Sequence, residues 1–290
     1  PACHVELLSI WRSGRRLAAG VRGEVDPHQA ALSAHAGKTG ELFERGVTWR
    51  DRNRLLQEVC RHLLADLPKD RPLRILVTGA AASGVTPHVL GVLSGERIRC
   101  VLADADEKSL GSVEERFRRY PFAECVACDL SSDLTNHALA AEQFDLVVCV
   151  RSVWSADPGT ALENASRLLA DGGLLLFERP GLSSACNELV FGPLLSQARQ
   201  AGTPDDVCDG QRSDCEDRLR ESGFVDVVQL GASDNAGTRL LVARRSPGGK
   251  AEPRSSAAAA GEAESSRLSP GPAAGAVPGD RESAGSWLVF

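Results

Sequence analysis

The sequence predicts an α/β fold, a seven-stranded mixed sheet with helices on both faces, preceded by a helical region. Three observations carry that prediction. Short apolar runs alternate with helical stretches from Leu73 to Glu221, the rhythm of parallel strands joined by crossover helices. The first run, Leu73–Thr78, passes through a small-residue turn into a segment opened by Pro87. Such a strand–turn–helix unit can lay backbone N–H groups against a nucleotide-like ligand. Finally, the apolar runs at 224–230 and 238–244 are separated only by residues 231–237. That link is too short for a helix, so the sheet should end in an antiparallel hairpin.

In chain order, residues 1–68 are expected to form a helical subdomain. Val5, Leu7, Leu8, Ile10 and Trp11 make one apolar cluster, and Leu17 and Val21 a second beside Arg15, Arg16 and Arg22, which suggests short helices with a solvated basic face. From Glu41 onward the pattern strengthens. Leu55, Leu56, Val59, Leu63 and Leu64 recur at helical spacing until Leu67-Pro68 stops the helix, and His62 within it reads as a surface or satisfied core histidine.

Residues 69–245 hold the sheet. After the first strand and the helix beginning near His88 come a second strand over 98–103 ending at Asp104, a charged helix over 107–119, and a third strand over 124–128 ending at Asp129. A fourth strand spans 144–150. A helix over 160–169 is closed by Asp171-Gly172-Gly173, a turn that feeds a fifth strand over 174–178. Helices are expected near 187–199 and 215–221 before the hairpin.

Residues 246–285 are Ala, Gly, Ser, Pro and charge with no aromatic residue, a composition that cannot bury enough apolar area to offset its ordering entropy, so a disordered linker is expected there. Trp287-Leu288-Val289-Phe290 reads as the first strand of a following domain. The absence of Met and the opening Pro1 suggest a segment of a longer polypeptide.

A hydrophobic fraction of 42% leaves room for a sizeable core, while a net charge of -6 with both signs interspersed argues against a nucleic-acid partner. No apolar run approaches the roughly 20 residues of a membrane span, and no segment opens the chain as a signal peptide would. The nine cysteines are odd in number and scattered through strand-like runs, which suits a reducing, cytoplasmic setting. Cys125 and Cys128 have CxxC spacing, but no second pair accompanies them. They are read as residues of the sheet, and no metal site is expected.

With these pieces placed, residues 11–245 resemble the C-methyltransferase domain of modular polyketide synthases, a class I family dependent on S-adenosylmethionine (SAM) with a Rossmann-like sheet. The resemblance is carried by Gly14-Arg15-Arg16-Leu17 with Arg22-Gly23-Glu24, residues 72–86, Tyr120-Pro121-Phe122, Phe144-Asp145-Leu146-Val147-Val148, Arg167-Leu168-Leu169 with Gly172-Gly173, and residues 219–224. It implies dehydratase and ketoreductase domains as neighbours in the same chain, the latter often opening on W-L-V-F, and an acyl carrier protein as partner of an active domain. The family's cofactor loop resembles I-L-E-I-G-A-G-T-G-G. Here Val77 stands in place of its carboxylate, and Ala81 and Ser83 in place of two glycines. Side chains at those positions should strain the loop and hold the ligand away, weakening SAM binding severely.

By the same resemblance the cofactor-binding positions are Gly79, Ala81, Ser83, Asp104 for the ribose and Asp129 near the adenine. An Asp at a strand end reads equally as a helix cap. Family chemistry removes a proton from the carbon between a ketone and a thioester, using a His and a Glu, and the enolate attacks the SAM methyl group. Trp154 occupies the His place, and an indole N–H donates but cannot take a proton. Glu178 matches the Glu within a residue or so and is the candidate catalytic residue. Its other reading is a strand-end carboxylate with no catalytic role.

Two functions follow: an inactive, structural methyltransferase-like domain, or an active C-methyltransferase with Glu178 as sole base. A third, a short-chain dehydrogenase, is disfavoured. Counted from Gly79, its later glycines would fall at Ser83 and Val85, and Tyr120 has Glu124 where that family needs a Lys.

Overall fold

The computed structural model describes residues 3–25, 39–67, 70–81, 84–93, 97–149, 158–179, 212–230 and 239–248. Ser83, Trp154 and its segment, the helix expected near 187–199, the hairpin link 231–237 and the chain beyond Gly248 lie outside the described residues.

The helical region consists of α1 (His4–Val21), α2 (Thr39–Arg45), a 3₁₀ turn (Val47–Trp49) and α3 (Arg50–Asp66). α3 stops where Leu67 turns extended (φ -76°, ψ 157°), the conformation that a following proline imposes. Where short helices are expected, α1 is a single helix of 18 residues. Gly14 costs only about 1 kcal/mol in a helix interior and does not break it. Its apolar residues are divided between two surroundings. Val5 and Ile10 pack against buried Leu42, Phe43 and Trp49, whereas Leu7, Trp11 and Leu17 are 61%, 56% and 48% exposed.

The sheet follows as β1 (Leu73–Thr78), α4 (Thr86–Leu90), β2 (Ile98–Asp104), α5 (Glu107–Phe117), β3 (Ala123–Ala127), β4 (Phe144–Cys149), α6 (Pro158–Leu168), β5 (Leu169–Arg179), α7 (Arg212–Glu221), β6 (Phe224–Leu230) and β7 (Arg239–Arg245). Its seven strands run in the order β3-β2-β1-β4-β5-β7-β6. The first five are parallel, and β7 is inserted antiparallel between β5 and β6, so the expected hairpin is present. The central strands are apolar on both sides because both sides are covered. Leu76, Val147, Leu175 and Phe177 face α6, and Ile75, Val77, Leu102, Val148 and Leu176 face α3, α4 and α5.

A second difference concerns β5. It begins at Leu169, directly after α6, and pairs Phe144 with Leu169 before its register shifts to Leu146 with Leu174. Asp171-Gly172-Gly173 is therefore a bulge inside the strand rather than a turn before it. Gly172 has φ +73°, and a Cβ on Gly173 would lie 2.8 Å from the Ala170 carbonyl oxygen. Opposite this bulge on β4, Asp145 is buried, takes an ion pair from Arg71 and accepts the Arg74 N–H at 2.9 Å. The Phe144-Asp145 motif is thereby accounted for structurally. Among the described residues no helix is long and apolar enough to cross a membrane.

Candidate functional site

Four of the five cofactor-binding positions expected from the sequence are described, and they lie along the carboxyl ends of three neighbouring strands. At the end of β1 the chain turns with Gly79 at φ +64°, a conformation open to glycine. The Ala80 N–H then donates to the Ala103 carbonyl at 3.0 Å, carrying the loop across the end of β2. Its return is pinned by the Thr86 hydroxyl, which donates to the Ala80 carbonyl at 2.8 Å. Val77 is fully buried on the face that packs against α3 and α4.

Asp104 ends β2 directly beneath this loop. Its carboxylate accepts the Ala81 N–H at 2.8 Å on one oxygen and the Asp106 N–H at 3.1 Å on the other, and the residue is only 7% exposed. The N-cap of α5 is Asp106, which accepts from the Lys108 N–H, so Asp104 does not cap that helix. Asp129 is half-buried beyond β3. One of its oxygens accepts both the Ser131 N–H (2.9 Å) and hydroxyl (2.7 Å).

Glu178 lies elsewhere in chemical terms. Near the end of β5 it is 4% exposed and held in a bidentate pair by Arg52 of α3. Nε donates to Oε1 at 2.8 Å and Nη2 to Oε2 at 2.6 Å. The third guanidinium nitrogen donates to Asn53 Oδ1 at 2.7 Å, and the Asn53 amide donates to the carbonyls of Phe43 and Glu44 at 2.8 and 3.1 Å. The guanidinium also lies 5.5 Å from the Trp49 ring centroid. This network joins β5 to α3 and α2, and sequence reasoning missed Arg52 and Asn53. A signal was available: Arg52 stands four and seven residues before Leu56 and Val59, so the apolar stripe of α3 continues through a charge. A buried charge at such a position needs a partner.

His88, also not singled out, is half-buried at the start of α4. Its Nε2 donates to the Glu44 carbonyl at 3.2 Å and its Nδ1 accepts from the Gln57 amide at 3.3 Å. Burial lowers its pKa, outweighing the Glu44 contacts that raise it. Cys125 and Cys128 are free thiols, and burial pushes Cys128 up to about 11, which leaves it protonated and unreactive at neutral pH. Among the described residues no group of three or more His, Cys, Asp or Glu could hold a metal ion.

The seven-stranded mixed sheet, with β7 antiparallel between β5 and β6, matches the class I methyltransferase Rossmann-like fold. Residues 79–177 match the model of the methyltransferase domain family. The matched span begins at the turn after β1 and ends within β5. Across 80% of its length, the chain is similar to the non-reducing polyketide synthase Preu3 of Preussia isomera, at 24% identity over 240 residues, and it spans 9% of that protein's length. Among solved structures the citrinin polyketide synthase CMeT domain matches with a TM-score of 0.71 and 19% identity, over 85% of this chain and 66% of that one. The trans-methyltransferase CalH, solved with SAH, matches at 0.63 and 21%, over 81% and 66%.

Proposed function

We infer that this is a catalytically inactive methyltransferase domain of a polyketide synthase, serving as a folded element among dehydratase and ketoreductase neighbours of the same chain. The observation that carries the reading is the bidentate Arg52–Glu178 pair. A general base must reach its substrate with a free lone pair, whereas Glu178 is buried and both oxygens are held by a guanidinium. The residues at the loop do not fit SAM either. Asp104, the ribose acceptor by resemblance, is covered by the loop, and one lone pair on each oxygen is taken by a backbone amide. Ala81 adds a Cβ where the resembling loop has none.

A second reading, an active C-methyltransferase acting on a β-ketoacyl carrier-protein intermediate, draws support from Gly79, Asp104 and Asp129, which keep their places at the strand ends. One experiment separates the two. Calorimetric titration of the protein with SAM, alongside a methyl-transfer assay on a β-ketoacyl carrier protein, is expected to give neither micromolar binding nor product. Ala81→Gly with Ser83→Gly should recover some binding without turnover, and Trp154→His should add turnover only in that background. Micromolar SAM affinity or methyl transfer in the unmodified protein would falsify the inactive reading.

A further inference from the structure

On the outer side of α3, away from the Arg52–Glu178 pair, lies a groove of about 590 Å³ between that helix, the end of α2 and the start of α4. Arg45, Arg50, Arg54 and Arg61 line it against two carboxylates, Glu44 and Glu58, with Asn53 and His88 among the other lining residues. Both carboxylates are already committed. Glu44 pairs with Arg116 of α5, and Glu58 with Arg54 at 3.2 Å. Arg45 is 3.7 Å from Glu41 and 67% exposed. Arg50 and Arg61 are exposed and form no ion pair among the described residues. Four arginines against two carboxylates leave the groove's lining with a net positive charge.

An arginine row on a helix is ordinarily a solvated convex face, but this one forms the wall of a concavity. The spacing decides what it fits. Arg50 and Arg61 are eleven residues apart, about 16 Å along the axis at 1.5 Å per residue, so they cannot converge on one phosphate as a phosphate site requires. An acidic helix, by contrast, repeats the geometry, since carboxylates at i, i+4 and i+11 on one face oppose Arg50, Arg54 and Arg61.

We propose that this groove docks an acidic helical face of a protein partner. The inference stands whether or not the chain transfers methyl groups.

The test uses the whole 290-residue protein and a fluorescent synthetic helical peptide bearing Glu at i, i+4, i+7 and i+11, with a Gln-for-Glu peptide as control, read by anisotropy. The acidic peptide should bind and the Gln peptide should not. Binding should weaken about tenfold on Arg50→Glu with Arg61→Glu, and weaken as salt is raised, as charge-steered contacts do. The milder Arg50→Gln with Arg61→Gln serves if charge reversal disturbs the far-ultraviolet circular dichroism. Three results would overturn the proposal. One is no binding, and another is equal weakening by Arg12→Glu with Arg15→Glu on α1. The third is displacement of the peptide by micromolar inorganic phosphate, which would mark a small-anion site.

Discussion

At the scale of single residues, Arg52 and Glu178 are the most consequential pair in the described protein. Their charges sit at 5% and 4% exposure, where desolvation is costly and only the bidentate geometry offsets it. Removing one partner leaves the other charge buried alone. Arg52→Met should therefore destabilise the protein by about 3–5 kcal/mol, and adding Glu178→Leu should recover most of that loss. Urea unfolding of both variants checks this, and a single-variant cost below about 1 kcal/mol would show the pair to be solvated. His88 gives a pH signature. Its folded pKa lies below the ordinary value of about 6.5, so the unfolded chain takes the proton first. Its contribution is complete above about pH 6.5 and is lost as the pH falls. Thermal unfolding midpoints between pH 7 and 5 should fall less steeply in His88→Gln, and identical slopes would remove His88 as the cause. Glu178 was legible in the sequence as a strand-end carboxylate. Its partner was not, because 126 residues separate them and no local pattern encodes that distance.

At the scale of elements, one glycine that the sequence assigns to a ligand loop proves to be required by packing. Gly84 reads in sequence as part of the cofactor turn, yet a Cβ there would lie 2.6 Å from the Glu44 nitrogen and 2.7 Å from the Gly40 oxygen, both backbone atoms of α2, at φ +67°. The absence of a side chain lets the loop seat against the helical layer. Gly84→Ala should cost about 2–5 kcal/mol from strain and overpacking together. Gly111→Ala, where nothing lies within 4 Å in the middle of α5, should gain up to about 1 kcal/mol. Denaturant midpoints of the two variants should move in opposite directions, and a neutral Gly84→Ala would mean that α2 shifts freely. The same close packing explains what the sequence misplaced. Asp171-Gly172-Gly173 has the composition of a turn, and its place inside β5 is set by pairing with Phe144 across the sheet, which local composition does not record.

At the scale of the whole molecule, the sheet was legible because parallel strands buried on both faces read as continuous apolar runs, and a link too short for a helix leaves only an antiparallel return. The attachment of α2 and α3 was not legible, because it rests on Arg52–Glu178, on Asn53 reaching two α2 carbonyls, and on the bare backbone of Gly84. The pair joins residues 126 apart in sequence and Gly84 meets backbone of α2 far upstream, while the Asn53 bonds tie α3 to α2. The described residues also fall within one compact unit, Pro1–Ala251. The helical layer should therefore open only with the sheet. In native-state hydrogen exchange, the amides of Leu56, Val59 and Cys60 in α3 are expected to be as protected as those of Leu76 in β1 and Val147 in β4. Arg52→Met should lower protection in α3 more than in β4, since it cuts the tie on the helical side while the strand ladder stays intact. If α3 exchanges orders of magnitude faster than β4 in the unmodified protein, the layer is a separately opening lid, and the buried pair does not hold it to the sheet.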